Sequence, residues 1–149
     1  MNVQRFARSI GIAGAAAIAL ASVPTALWAA GGGYGVKEAK LEAFKVPGGA
    51  GAKGASGRVI AEIDADEGEF CYSITLDKLD DVGVITFHKG AADVSGETLF
   101  EMKVTGDNAD ACLNRNKAEL ADILAHPSGY YVLVTSKALP DGALRGQLE

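Results

Sequence analysis

Two histidines, two cysteines and no cluster of Lys or Arg set the outer bounds on this chain of 149 residues. Only His88 and His126 are available as imidazole bases, and neither sits in a recognisable catalytic constellation. Ser56, Ser73, Ser95, Ser128 and Ser136 occur without the Gly-x-Ser-x-Gly elbow that activates a serine nucleophile. The adjacent carboxylates Asp80 and Asp81 fall in a loop, with nothing to aim them at one substrate. The chain therefore reads as a non-enzyme. Cys-x-x-Cys spacing is missing, which removes the usual dithiol redox motif. Without a basic face to neutralise phosphates, nucleic acid is excluded as a partner. No uninterrupted apolar run reaches the ~20 residues that a spanning helix needs. No internal repeat is visible.

The N-terminal thirty residues have their own pattern. Arg5 and Arg8 precede an apolar run from Ile10 to Ala21, which Ser22, Pro24 and Thr25 break. Ala26, Ala29 and Ala30 supply small residues for a cut near 29–31. A positive start, a short apolar stretch and small residues define a secretory signal peptide over residues 1–30. The alternative, a membrane anchor, is disfavoured by the length of the run. Residues 31–35 are then a flexible glycine-rich lead-in, and 36–149 a single domain. Fourteen basic side chains less Arg5 and Arg8 leave twelve against nineteen acidic ones, a mature charge of −7. Such a surface favours solubility.

Export bears on the cysteines. Cys71 and Cys112 both lie in the mature part, and one pair in an exported chain forms one disulfide. Two free thiols or a soft-metal site are the alternatives. A bridge would close a loop of about forty residues and stabilise by roughly 4 kcal/mol.

Most of the mature chain alternates with period two, the mark of strands with one buried face. Val59, Ala61 and Ile63 share a face. Phe70, Tyr72, Ile74 and Leu76 alternate with Cys71, Ser73, Thr75 and Asp77, and the polar run Asp64–Gly68 joins these two strands as a hairpin turn. Val82 to Lys89 places Ile85 and Phe87 opposite Thr86 and His88. Thr98 to Val104 is a further strand. Val36 to Phe44 fits either a strand or a short helix. Val46 to Gly57, with five glycines and a proline, is a mobile loop. Gly106 to Asn114 reads as a polar loop carrying Cys112. Asn116 with Glu119 three residues on marks a helix start. Leu120, Ile123 and Leu124 give that helix an apolar stripe, and His126-Pro127 ends it. Tyr130–Ser136 and Leu144–Gln147 flank Pro140-Asp141-Gly142 as a final hairpin. The sum is an all-β, antiparallel Greek-key sandwich or barrel of about seven or eight strands, with one short helix near 116–126.

Two other motifs dissolve on inspection. Gly49 to Gly54 matches Gly-x-Gly-x-x-Gly by letter, but no strand precedes it and no helix follows to hold a pyrophosphate. Asp64-x-Asp66-x-Gly68 lacks the third ligand pair and distal glutamate of a calcium loop.

Four separated blocks resemble the CHRD domain family in its secreted bacterial form. They are Phe70-Cys71-Tyr72-Ser73-Ile74, Phe87-His88-Lys89-Gly90-Ala91-Ala92, Ala121-Asp122-Ile123-Leu124-Ala125-His126-Pro127, and Gly142-Ala143-Leu144-Arg145-Gly146-Gln147-Leu148. The resemblance favours the strand reading for Val36–Phe44. It implies an antiparallel β-barrel or sandwich loosely similar to copper-zinc superoxide dismutase. It also marks Thr86, His88, Thr135, Arg145 and Gln147 as family-motif positions. Typical members carry a His-x-His pair and a third histidine in the tyrosine-valine strand; here those positions hold Thr86, His88 and Thr135. Threonine is a poor ligand for zinc or copper, so such a metal site is dismantled and His88 alone remains as a candidate. The bland reading of His88 is a partly exposed strand residue bonded to a neighbour. His126, at a helix C-terminus, suits the helix dipole. Arg145 and Gln147 share a strand face, and Arg145 is expected to pair with an acidic residue, with Gly146 between them allowing close backbone packing.

These readings predict an exported, non-catalytic binding or structural module of the cell envelope, periplasmic or secreted. It has no cofactor, and its partner is an unidentified protein or envelope ligand. The alternative is a periplasmic copper- or zinc-binding protein with a fold similar to copper-zinc superoxide dismutase. Metal uptake dependent on His88 separates the two.

Overall fold

A computed structural model describes residues 33–48, 51–103 and 108–149. The signal-peptide reading of residues 1–30 falls outside them, as do Gly49 and Ala50 of the glycine run and Val104 at the end of one expected strand. Eight strands form one antiparallel sheet: β1 (Tyr34–Glu42), β2 (Ser56–Asp64), β3 (Glu69–Asp77), β4 (Val82–Lys89), β5 (Glu97–Met102), β6 (Asn108–Asn114), β7 (Tyr130–Ser136) and β8 (Leu144–Gln147). Their spatial order is β5-β4-β7-β8-β1-β2-β3-β6. Short 3-10 turns occupy Ala43–Lys45 and Pro127–Gly129, and one helix, α1, spans Lys117–Ala125.

The sheet curls into a half-barrel because its two ends share a core. Phe70 of β3 meets Phe100 of β5 edge-on at 5.1 Å and Phe87 of β4 at 5.3 Å. Phe87 in turn stacks on Phe100 at 4.9 Å and on Tyr130 at 5.9 Å. β3 and β5 stand near opposite ends of the strand order, so these contacts require closure. Phe70 and Phe87 are fully buried, and each such side chain contributes about 1.5–3 kcal/mol through removal of apolar surface from water. Side chains complete the seam between the edge strands. The Tyr72 hydroxyl bonds both the N–H and the carbonyl of Lys103. Arg115 lies 4.5 Å over the Phe100 ring.

α1 plugs the curl with Leu120 and Ile123, both fully buried. The Asn116 side chain accepts from the N–H groups of Ala118 and Glu119, satisfying two donors that a helix start leaves free. His126 closes the helix, its N–H donating to the Asp122 carbonyl before Pro127.

Three sequence expectations change here. β1 is a strand rather than a helix and runs from Tyr34 to Glu42, taking in two residues of the expected lead-in, while Ala43 and Phe44 at the end of the expected strand belong to a 3-10 turn. β5 covers Glu97–Met102, one residue earlier at its start than expected. The segment read as a polar loop is β6, paired with β3 from Glu69↔Asn114 to Thr75↔Asn108. Its polarity has a physical cause: β6 is an edge strand, and Asp110, Cys112 and Asn114 are exposed while Ala111 and Leu113 turn inward.

Candidate functional site

Four of the five residues singled out from the sequence, Thr86, His88, Arg145 and Gln147, gather on the outer face of β4, β7 and β8. Register sets the arrangement. His88 stands opposite Tyr131, and Tyr131 opposite Gln147, while Thr86, Leu133 and Arg145 form the next row. The Tyr131 ring stacks on the His88 imidazole at 4.7 Å with 7° between planes. The Arg145 guanidinium lies 3.7 Å from the centroid of the same ring. Arginine, tyrosine and histidine thus form a stack that crosses three strands, with the cation–π contact strengthened by burial.

The segment between β4 and β5 folds over this stack. Arg145 donates to the carbonyls of Ala91 at 2.8 Å and Val94 at 3.0 Å. Gln147 donates to the carbonyls of Gly90 at 2.8 Å and Ser128 at 2.6 Å. The Gly96 N–H donates to the Tyr131 hydroxyl at 2.9 Å. Two glycines allow the approach. A Cβ at Gly96 would collide with the Lys89 carbonyl, and one at Gly146 with the Lys40 carbonyl where β8 meets β1.

The cover buries His88 to 7% exposure, so the expectation of a partly exposed strand residue is corrected. Its Nε2 faces the Thr86 hydroxyl at 2.6 Å. Its Nδ1 faces the Gly96 carbonyl and the Thr98 hydroxyl, both at 3.3 Å. Desolvation pushes the His88 pKa below its ordinary 6.5; the Gly96 carbonyl opposes this and the Arg145 charge adds to it. Both ring nitrogens are engaged. Arg145 is 2% exposed and bonds backbone carbonyls, correcting the expectation of an acidic partner. Two carbonyl dipoles from the β4–β5 loop serve in place of a carboxylate.

Thr135 does not join this group. Its hydroxyl accepts from the Val84 N–H at 2.8 Å and donates to the Val84 carbonyl at 3.0 Å, where β4 is irregular between Val82 and Ile85. Thr86 and His88 converge; Thr135 serves as a strand clamp two residues further along.

Two features escaped the sequence reading. Tyr131 is the keystone of the stack, and its place in a Tyr-Tyr pair concealed that Tyr130 faces inward and Tyr131 outward. The second is a polar knot around Asp122, which accepts from Tyr130, from Lys89 at 3.0 Å and from His126 at 3.0 Å. The four-residue spacing of Asp122 and His126 on a helix was the available signal. These partners hold the Asp122 carboxyl well below the usual carboxylate range, Tyr130 first, then Lys89 and His126.

Elsewhere on the outer face, Cys71 and Cys112 form a disulfide between directly opposed residues of β3 and β6. A cleft of about 220 Å³ lies beside it, lined by Ile60, Glu62, Ser73 and Asp110 among others.

An antiparallel half-barrel with this motif face defines a class of small β-domain. The model of the CHRD domain matches residues 38–148, and the chain belongs to that family. No curated protein and no solved structure matches the chain significantly. No helix of the described residues is long and apolar enough to cross a membrane.

Proposed function

We propose that this CHRD domain is exported and acts as a non-catalytic binding or structural module of the cell envelope, in the periplasm or outside the cell. One observation carries the reading. The polar side chains at these positions are spent within the chain: Arg145 and Gln147 hold four backbone carbonyls, and His88 is bonded at both nitrogens. A group consumed in this way stiffens a surface; it is not free to attack, protonate or polarise a substrate. The disulfide and the signal-peptide pattern support an oxidising compartment.

The competing copper- or zinc-binding reading places the ion at His88. A ligand nitrogen there would have to leave Thr86 or Gly96, and Thr86 and Thr135 offer no imidazole to complete the set. Fold likeness to a metalloenzyme is analogy alone.

The test has two arms. Expression of the full chain, fractionation and mass measurement of the mature species reads export and the cut near residue 30. Cross-linking of the native domain in an intact envelope, with mass spectrometry of the adducts, reads its neighbours. Retention of residues 1–30 in the cytoplasm overturns the localisation. Stoichiometric copper or zinc uptake by the oxidised protein, abolished in His88→Gln, overturns the non-metal reading.

A further inference from the structure

We propose that the Cys71–Cys112 bridge covers a reduction-gated metal site: once opened, Cys71, Cys112 and Glu69 hold one thiophilic divalent cation, with zinc as the type ion. The site lies on the β3–β6 outer face, away from the family-motif stack, and does not depend on the partner of the preceding section.

The donors are already gathered. Cys71 and Cys112 are directly opposed in the ladder, with Cα atoms 4.0 Å apart. Glu69 precedes Cys71 by two residues, so strand alternation places it on the same face. A carboxylate oxygen of Glu69 and both sulfurs lie within 4.8 Å of one another. Glu69 and Cys112 are exposed and Cys71 is half-buried, which gives a hydrated ion a path. The adjoining cleft, about 220 Å³, has Glu62 and Asp110 in its lining. They, or water, supply a fourth ligand.

The frame survives opening of the bridge. β3 and β6 pair over seven positions, and Phe70 and Tyr72 anchor β3 in the core on the opposite face. Reduction frees the sulfurs without moving the strands that present them. The chemistry balances with a dithiol as reductant. It delivers two electrons and two protons, leaves as its own disulfide, and the bridge becomes two thiols. Zinc binding then releases the two thiol protons, because the thiolate is the ligand. Two thiolates and a carboxylate suit a tetrahedral zinc site with one open position and select against magnesium and calcium.

The experiment is a zinc titration of the full mature protein with a competing chromophoric chelator, oxidised and after reduction by a non-chelating phosphine. The expected result is one zinc per reduced chain and none per oxidised chain. Cys112→Ser abolishes uptake. Glu69→Gln weakens it by about tenfold or more, on the scale of losses at metal-site supporting groups. His88→Gln leaves it unchanged. Circular dichroism of the reduced protein checks that the sheet persists, and Cys71→Ser repeats the test from the other strand. Reduced, folded protein that takes up no zinc overturns the proposal. So does uptake that persists in Cys112→Ser, or that the oxidised protein matches. Loss in His88→Gln alone would move the metal to the motif face and overturn this site while reviving the other.

Discussion

On the outer face of β4, β7 and β8 a loop lies over every polar group near His88; on the outer face of β3 and β6 a disulfide lies open beside a cleft. Both faces belong to one sheet, and both carry residues that sequence reasoning singled out. They differ in what covers them. The first is capped by residues 90–96, whose carbonyls receive Arg145 and Gln147 and whose Gly96 N–H reaches Tyr131. Among the described residues no buried side-chain nitrogen or oxygen lacks a partner. Among the described residues no loop covers the second face in this way, and Cys112 is exposed on an edge strand. On the first face the polar groups are used up within the chain, while chemical access lies on the second.

The sharpest way to break this contrast is to remove each face's fastening. Reduction of the bridge, or Cys112→Ala, is expected to lower unfolding stability by roughly 4 kcal/mol, the chain-entropy value for a loop of this length. Urea denaturation with and without reductant measures it. The midpoint should fall while far-UV circular dichroism in water stays the same. Arg145→Ala comes next. It strands the carbonyls of Ala91 and Val94 and removes the cation from Tyr131, an expected loss of about 3 kcal/mol. Hydrogen exchange should quicken through residues 90–96 and leave β3–β6 unchanged. Arg145→Lys should recover little, because one ammonium cannot span both carbonyls and stack as well. Full recovery would mean that the loop is held by charge alone.

How much of this was legible depended on where each residue's partner lies. Phe70, Tyr72 and Ile74 announce β3 because their burial alternates along one strand. Asn116 and Glu119 announce α1 because capping is local. Pro140-Asp141-Gly142 announces the last hairpin for the same reason. β6 was illegible because an edge strand with one wet face looks like a loop; only Ala111 and Leu113 carried the alternation. The burial of His88 was illegible for a different reason. It comes from a loop folded back over the sheet, and the acceptors that hold Arg145 there are backbone carbonyls, which no side-chain pattern reveals. Thr86 and His88 meeting was predictable from period two. Thr135 stays apart because Thr86 pairs with Leu133, which sets Thr135 one side-chain row further along β7 beside Val84, and that register is not written in either strand alone.

The next prediction sharpens the buried face through pH. Desolvation lowers the His88 pKa below the ordinary 6.5. In the unfolded chain it takes a proton near that value, so between the two pKa values the unfolded state binds more protons. Its stabilising contribution is therefore complete above 6.5 and is lost as pH falls through 6.5 toward the folded value. Thermal unfolding between about pH 8 and about pH 5 should show this loss in the wild type and less of it in His88→Gln. An identical slope in the variant would place the titration elsewhere.

The smallest expected effect belongs to neither face but to the knot that ties α1 to β4 and β7. Asp122 accepts from Tyr130, Lys89 and His126, and its carboxyl is held below its ordinary 3.8. A depressed carboxylate contributes stability that is present above that value and lost as pH falls toward the folded one. Asp122→Asn should lower the melting temperature slightly at neutral pH, and the gap should close in acid. Its side chain is 39% exposed, so solvent and salt screen the ion pairs to Lys89 and His126. Added salt should erase that ionic share. What then remains is the bond from Tyr130, whose ring is buried in the core; Tyr130→Phe in high salt should match most of the residual loss. A knot that salt dissolved completely would be a surface ion pair only, and the helix would owe its place to Leu120 and Ile123.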